Sequence, residues 1–300
     1  MTRVDPRAYL IDPTQYAISD LRWMHDLDDR VLHTGLPHQR MGTRTLDPRR
    51  WLVFDGQAEA ELDLRRRLFT DAPGEVFRAT ESSTAAQAET AALVEAWLRR
   101  HRPAALARWG SADLAPLVRA GLAVQEDLCV MERADDGWRF TAGFVCFPTY
   151  WSLEDKIDRP QETIHGPVPH YADDLADKVT RLFDRLAVDS IVTRRNWGFA
   201  GHPLLFVPRL SDLEQPDVFD PDRCWLRSER QTLRRLPASG AILFTIKVQL
   251  APVAALRVWP AVAGRLLDSM ADWSPELLAS RGQQPWMPGL RRFLARVADR

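Results

Sequence analysis

The sequence predicts an α+β fold, in which one antiparallel sheet carries flanking helices, and three observations lead to this class. The pattern is helical between residues 56 and 121, strand-like runs follow from residue 124, and helical periodicity returns near the C-terminus. Strands and helices therefore do not alternate regularly, as they would around a parallel sheet. Because the chain has 300 residues, 45% of them hydrophobic, it can bury a substantial core, and we expect one decorated domain.

The first part of the chain, residues 1–55, is predicted to be an extended arm that wraps around the core. Prolines interrupt it, and its aromatic side chains are the expected anchors: Tyr9, Tyr16, Trp23 and Trp51. Residues 56–121 are predicted to be helical. The expected helices contain Glu61 to Leu68, follow a cap at Ser82-Ser83-Thr84, and run from Ser111 to Ala120 with an end at Gly121.

Residues 122–255 are predicted to form the sheet. Two strand-like runs, 124–133 and 138–147, flank the dipeptide Asp136-Gly137, which is a strong hairpin signal. A helix is then expected over 172–186, and further strands over 189–199, 222–233 and 241–250. The last strand alternates in hydrophobicity, so one of its faces should be buried. Residues 256–300 are expected to be helical, starting after Pro260 and resuming after Pro288.

Composition and missing motifs exclude several classes of protein. The 40 basic and 41 acidic residues leave a net charge of −1, so we expect neither a nucleic-acid nor an anionic-membrane partner. Three widely spaced cysteines, Cys129, Cys146 and Cys224, argue against a disulfide framework and a four-thiolate cluster, and they favour the cytoplasm. There is no glycine-rich nucleotide motif, signal peptide or 18-residue apolar stretch. Any nicotinamide and flavin chemistry is therefore expected on another chain.

The first segment with chemical potential leads to His165. This histidine precedes the turn Gly166-Pro167-Val168-Pro169, whose two prolines stiffen the loop. A metal-ligating imidazole needs such a fixed ring, although a loop histidine that binds the backbone fits the same pattern. His170, five residues further on, is the competing ligand.

Two later segments carry further candidates. In residues 192–198, Asn196 could donate to a ligand and Trp197 could stack on a planar cofactor. The alternative is structural: Asn196 would lie at the edge of a strand and Trp197 in the core. In a strand over residues 225–237, side chains would alternate between two faces. Arg227, Glu229 and Gln231 would share one face, and Ser228, Arg230 and Thr232 the other. Charges beside an apolar strand must be paired or functional.

Four motifs in this order identify a family. They are F-P-x-x-W-x-x-x-x-K at 147–156, I-H-x-P-V-P at 164–169, R-x-N-W at 194–197, and R-x-E-R-Q-T-L-x-R-L-P-x-S-x-A-I-L-F-T-I at 227–246. Over roughly residues 40–255 the chain resembles the haem-dependent oxidative N-demethylase family. The resemblance implies a PAS-like sheet that binds haem b and oxidises a secondary amine such as dimethylamine with O2, which releases formaldehyde. It also implies a reductase partner that carries FMN, an iron–sulfur cluster and the NADPH site.

The resemblance also implies roles for individual residues. His165 matches the proximal haem ligand. Glu229 falls in the distal pocket, where its carboxylate could bind a protonated amine or relay protons, and Arg227 would orient it. Arg230 and Lys156 are candidates for the haem propionates, and Asn196 and Trp197 are weaker pocket candidates. One departure, Asp155-Lys156-Ile157-Asp158, stands where a Glu-Lys-hydrophobe-Gly pattern is expected, which affects the loop geometry.

Two other functions compete with the N-demethylase. The chain could be a non-catalytic haem-binding or gas-sensing PAS-like protein, although it shows none of the common output-domain signatures. It could also be a protein of the same fold without a cofactor, in which His165 is structural. The visible absorbance of the purified protein separates the last possibility from the first two, and amine-dependent formaldehyde release separates the enzyme from the sensor.

Overall fold

A seven-stranded antiparallel sheet forms the centre of the molecule in the computed structural model, which describes residues 4–12, 18–28, 31–32, 42–165, 176–271 and 273–299. Its strands are β1 (Arg44–Thr45), β2 (Phe77–Ala79), β3 (Asp127–Ala134), β4 (Gly137–Phe144), β5 (Ile191–Ala200), β6 (Trp225–Arg235) and β7 (Ile242–Pro252). Their order in the sheet is β1-β5-β6-β7-β3-β4-β2. The longest strands, β6 and β7, therefore lie in the interior of the sheet.

The helices are α1 (Ala58–Asp71), α2 (Pro73–Val76), α3 (Thr84–His101), α4 (Pro116–Gly121), α5 (Leu153–Lys156), α6 (Gln161–His165), α7 (Ala176–Arg185), α8 (Pro260–Ser269), α9 (Pro275–Ser280) and α10 (Met287–Ala298). Short 3-10 turns occur in the N-terminal arm at Pro6–Tyr9, Ile18–Asp26 and Pro48–Arg50. Of the predicted anchors, Tyr9, Trp23 and Trp51 are buried, whereas Tyr16 lies outside the described residues.

The predicted α+β class is confirmed, and so is the hairpin. The chain reverses between β3 and β4 at the expected dipeptide, where Gly137 has a φ of +122° that a residue with a Cβ rarely adopts. The third helix is shorter than predicted. It begins only at Pro116, whose fixed φ suits the first position of a helix but not its interior. The predicted side-chain cap of α3 is also wrong, because the Ser83 hydroxyl donates to the Thr80 carbonyl instead.

The two faces of the central strands differ, and we name them by their residues. The pocket face carries Arg227, Glu229 and Gln231, and the arm face carries Ser228, Arg230 and Thr232. On the arm face, residues before α1 and in α1 cover buried charges. Lys247 of β7, for example, is fully buried and its Nζ lies 2.7 Å from a carboxylate oxygen of Glu61. The arm face is therefore closed by the protein's own chain.

Two apolar clusters hold the layers together. The larger one joins the sheet to α1, α3 and α4, and the smaller one joins β5 and β6 to the C-terminal helices. The C-terminal helices contribute buried side chains such as Leu266, Leu290 and Leu294. This second cluster brings the turn after α9 against the edge of the sheet, next to the pocket face.

Candidate active site

The centre of the pocket face is Glu229 in the middle of β6. It pairs across the sheet with Asn196 of β5 on one side and with Val248 of β7 on the other. Successive pocket-face positions on β7 are the apolar residues Val248 and Ile246. A polar row on β6 therefore runs beside an apolar row on β7, and the carboxylate of Glu229 is only partly buried.

Three neutral groups hold the Glu229 carboxylate. The Thr149 hydroxyl donates to Oε1 at 2.7 Å, and the Gln231 amide donates to Oε2 at 3.0 Å. The Asn196 amide lies at 3.4 Å from Oε2, which is a long contact for a hydrogen bond. Among the described residues, no lysine or arginine lies within ion-pair distance of this carboxylate. Glu229 is thus oriented without a positive partner.

Arg227 acts on Glu229 through an intermediate residue. Its Nε donates to Oγ1 of Thr149 at 2.8 Å, and the same hydroxyl donates to Glu229. The remaining guanidinium nitrogens donate to backbone carbonyls, at 3.0 Å to Leu204 and at 2.9 Å to Phe147. The structure therefore links the two predicted residues through Thr149 rather than by a direct ion pair.

The segment that presents Thr149 is fixed from the other side as well. The carboxylate of Asp127, at the start of β3, accepts hydrogen bonds from the backbone nitrogens of Cys146 (2.8 Å) and Phe147 (3.1 Å). Arg65 of α1 pairs with the same carboxylate at 2.8 Å, and both side chains are fully buried. Hydrogen-bonded charges of this kind hold a backbone segment in one conformation.

Tyr150 and His202 form a second polar pair beside Arg227. Tyr150 has a φ of +60°, a conformation that non-glycine residues seldom adopt outside functional or tightly held sites. Burial and the nearby Arg227 lower the pKa of His202 to about 3, so the imidazole is neutral. Its Nδ1 accepts from the Leu204 backbone at 3.3 Å, which leaves the proton on Nε2, 3.2 Å from the Tyr150 hydroxyl.

Lys156 lies on the same side of the sheet. Its Nζ is 4.4 Å from the centroid of the Trp151 ring. Burial lowers the pKa of Lys156 to about 8, and the negative charge of Glu229 opposes this shift. No carboxylate of the described chain lies within ion-pair distance of the amine. The pocket face therefore offers a cation close to the Glu229 carboxylate.

The structure does not bring all predicted residues together. Arg230 and Trp197 are on the arm face, because side chains alternate along β6 and β5. Arg230 donates to the carbonyls of Trp51 at 3.0 Å and Arg50 at 2.6 Å, and Trp197 stacks on Trp273 at a centroid distance of 5.3 Å. A propionate role for Arg230 and a stacking role for Trp197 remain predictions, which no contact of the described residues supports.

The predicted axial ligands fall at the edge of what is described. The backbone of His165 forms the last residue of α6, while its side chain and the whole of His170 lie outside the described part. The segment that leads to α6 is joined to the sheet, since the Phe140 nitrogen donates to the Arg159 carbonyl at 3.1 Å. Metal ligation by either histidine stays a prediction.

Sequence reasoning missed Thr149, Tyr150 and His202. Thr149 and Tyr150 lie in the first motif, but nothing in a single sequence shows that a loop hydroxyl will meet a strand 80 residues away. His202 follows a glycine in a loop with no periodic pattern. The only indication in the sequence is that these three residues lie in or near the four motifs.

The described residues contain neither a cluster of metal-binding side chains nor a membrane-spanning helix. Across the ranges given above, no group of three or more His, Cys, Asp or Glu side chains could hold a metal ion. A search of the same residues finds no helix with the length and apolar character needed to span a bilayer.

Comparison with family models gives this arrangement a context. Residues 42–290 match the model described as "Haem-dependent oxidative N-demethylase, alpha subunit-like". The match includes all four motifs, the pocket-face residues and the turn that follows α9. The chain therefore belongs to the haem-dependent oxidative N-demethylase, alpha subunit-like family.

Proposed function

We propose that this chain is the haem-binding subunit of an oxidative N-demethylase that acts on a small secondary amine similar to dimethylamine. The observation that carries the proposal is Glu229, a partly buried carboxylate held only by neutral donors of the described chain. A secondary amine is cationic at neutral pH, so it would supply a positive partner at hydrogen-bond distance. Charge-assisted hydrogen bonds of this type contribute about 1.5–3 kcal/mol.

The residues of the pocket face suit a haem b group. Porphyrins need an apolar surface, an axial ligand and cations for the propionates. Phe244, on the same face of β7, and Trp151 are partly exposed and offer apolar surface. Lys156 offers a cation without a described carboxylate partner, and His165 would supply the axial imidazole. When bound, the haem iron supplies the activation of O2. The protein's part is to bind and orient the amine beside it.

Several residues of the pocket face would bind and orient the amine together. Thr149 occupies Oε1 of Glu229, so the amine N–H would donate to Oε2, where the contact from Asn196 is long and easily displaced. Gln231 keeps Oε2 in place as the amine binds. The hydrogen bond from the ammonium group to Oε2 then fixes the position of the nitrogen. Arg227 keeps Thr149 in position throughout.

The overall reaction balances with one external source of electrons. Dimethylamine, O2, NADPH and H⁺ give methylamine, formaldehyde, water and NADP⁺. One N–CH3 bond breaks and the methyl carbon becomes the carbonyl carbon of formaldehyde. O2 takes two electrons from the amine and two from NADPH. We place NADPH, FMN and the iron–sulfur cluster on separate reductase subunits, and we place the assembly in the cytoplasm, where buried thiols such as Cys129 stay reduced.

The test is formaldehyde release by the haem-loaded chain with an NADPH-dependent reductase and dimethylamine. We expect formaldehyde and methylamine in equal amounts, and none without O2. In the Glu229→Gln variant, which keeps the size of the side chain, release should fall by about tenfold or more, which corresponds to ~1.4 kcal/mol. A haem-loaded protein that consumes NADPH without amine-dependent formaldehyde would refute the proposal and favour a haem-binding sensor.

A further inference from the structure

A further positive charge reaches the pocket face from the C-terminal part of the chain. Arg281 lies in the turn after α9, where the next residue, Gly282, has a φ of +63°. A side chain at Gly282 would also collide with Gln215, because an ideal Cβ would lie 2.7 Å from its Cγ. The amide of Gln283 donates to the Phe199 carbonyl at 2.6 Å and so fastens this turn to β5.

The docked turn places the Arg281 guanidinium on the face that carries Glu229. An ideal Cβ on Gly198 of β5 would lie 3.4 Å from Nη1 of Arg281. Gly198 and Asn196 are two residues apart on one strand, so their side-chain positions share the pocket face and are about 6.6 Å apart. Because Asn196 pairs with Glu229, the carboxylate and the guanidinium are close neighbours, and they attract each other electrostatically.

Arg281 has no acidic partner in the described part of the chain. Its guanidinium lies over the Trp273 ring at 5.3 Å, and burial lowers the pKa of Arg281. A positive charge that is partly withdrawn from water is unfavourable unless an anion pairs with it. An anionic group of a ligand beside Arg281 would offset this cost.

Tyr150 adds a hydrogen-bond donor next to this cation. Since His202 donates from Nε2, the Tyr150 oxygen is the acceptor in that pair, and its own proton is free to be donated elsewhere. Tyr150 interacts electrostatically with both Arg227 and Arg281. A neutral hydroxyl that feels the charge of two guanidinium groups favours an oxygen anion as its acceptor and disfavours an ammonium.

We infer that the substrate is a secondary amine that also carries a carboxylate a few bonds from its nitrogen, namely an N-methylated α-amino acid. This inference rests on the proposed function. Glu229 would bind the ammonium group, while Arg281 and Tyr150 would bind the carboxylate. With N-methylglycine, the N–CH3 bond breaks. N-methylglycine, O2, NADPH and H⁺ give glycine, formaldehyde, water and NADP⁺, with the same two electrons from NADPH.

The test compares N-methylglycine and dimethylamine in visible titrations of the haem-loaded full chain. We expect wild-type protein to bind N-methylglycine at least about tenfold more tightly, the factor expected for one additional charge-assisted pair. Arg281→Gln should weaken N-methylglycine by about tenfold and should not weaken dimethylamine, because it removes a positive charge near the site of the ammonium group. Tyr150→Phe should weaken N-methylglycine alone, by about threefold or more. Arg223→Gln, which changes an exposed arginine, is the matched control and should alter neither value.

Each other result has a definite meaning. If wild-type protein responds to dimethylamine but shows no preference for N-methylglycine, the inference is wrong and the proposed function stands. If Arg281→Gln loses haem or weakens both amines equally, Arg281 serves the cofactor or the fold, and the inference is again wrong. If neither amine changes the wild-type spectrum, the proposed function fails together with it. Should Arg281→Gln not fold, the wild-type preference and Tyr150→Phe decide.

Discussion

Replacing Thr149 by valine tests how Glu229 is held. Valine has nearly the same shape as threonine but lacks the hydroxyl, so it removes two hydrogen bonds at once. Glu229 loses a donor at 2.7 Å, and the Nε of Arg227 loses its acceptor at 2.8 Å. Arg227 is only 5% exposed, so water compensates poorly for the lost acceptor.

The expected magnitude follows from these two contacts. A hydrogen bond to a charged group contributes about 1.5–3 kcal/mol, and a buried donor without a partner adds a penalty of similar size. Because Glu229 is partly exposed and can recruit water, we expect a net loss of about 2–3 kcal/mol in the free energy of unfolding. For a chain of this size, that lowers Tm by roughly 4–12 °C.

Amine binding should weaken in the same variant. The carboxylate keeps its charge but loses the bond that fixes its orientation, so we expect the Kd for dimethylamine to rise by about tenfold, or ~1.4 kcal/mol. Thr149→Ser retains the hydroxyl and should bind amine within about twofold of wild type. Thr70→Val, at an exposed helical position, is the control for a lost hydroxyl. Wild-type amine affinity and wild-type Tm in Thr149→Val would refute the link from Arg227 to Glu229.

Four further predictions address the cofactor and the buried charges. His165→Ala should lose most of its haem, measured by Soret absorbance, while circular dichroism stays unchanged; an unaltered Soret band would shift the ligand to His170. The pure chain should not oxidise NADPH, because it has no glycine-rich nucleotide motif, and oxidation at 340 nm without a reductase would contradict this. Transfer of haem to apomyoglobin should accelerate above about pH 8, because Lys156 then loses the charge that would bind a haem propionate. Lys156→Met should abolish that pH dependence. Burial raises the pKa of Glu126 to about 7 in the folded protein, and it does the same for Glu61, so folding binds protons and stability falls as pH rises from about 4.5 to 7. Glu126→Gln should reduce this slope in Tm by about half, and an unchanged slope would assign it to other groups.

The sheet was predictable from sequence because its long strands carry strong local patterns. The dipeptide Asp136-Gly137 marks the hairpin, and the alternation in β7 marks a strand with one buried face. Strands β1 and β2 were missed, since two or three residues are too few for any periodicity and their pairing is set by distant partners. The predicted start of the third helix at Ser111 was also wrong. The helix begins at Pro116, because proline suits the first position of a helix but not its interior.

The site was predictable only along one strand. Alternation on β6 separates Glu229 from Arg230, and a strand assignment alone is enough to derive that separation. The groups that act on Glu229 come from loops: Thr149 donates a hydrogen bond, and Arg281, in the turn after α9, acts through its charge. Such contacts depend on how loops dock, which is determined by tertiary hydrogen bonds such as the one from Gln283 to Phe199. A single sequence contains no local signal for them.

The central claim is that the carboxylate of Glu229 binds an amine beside a haem. The most direct test is a dimethylamine titration of the Soret band in wild-type and Glu229→Gln protein, both loaded with haem, with Tm measured on the same samples. We predict a saturable spectral change in wild type and at least about a tenfold weaker response in the variant, with equal haem content and similar Tm. Equal amine responses in the two proteins would contradict the claim, and so would a variant that loses haem and thermal stability together.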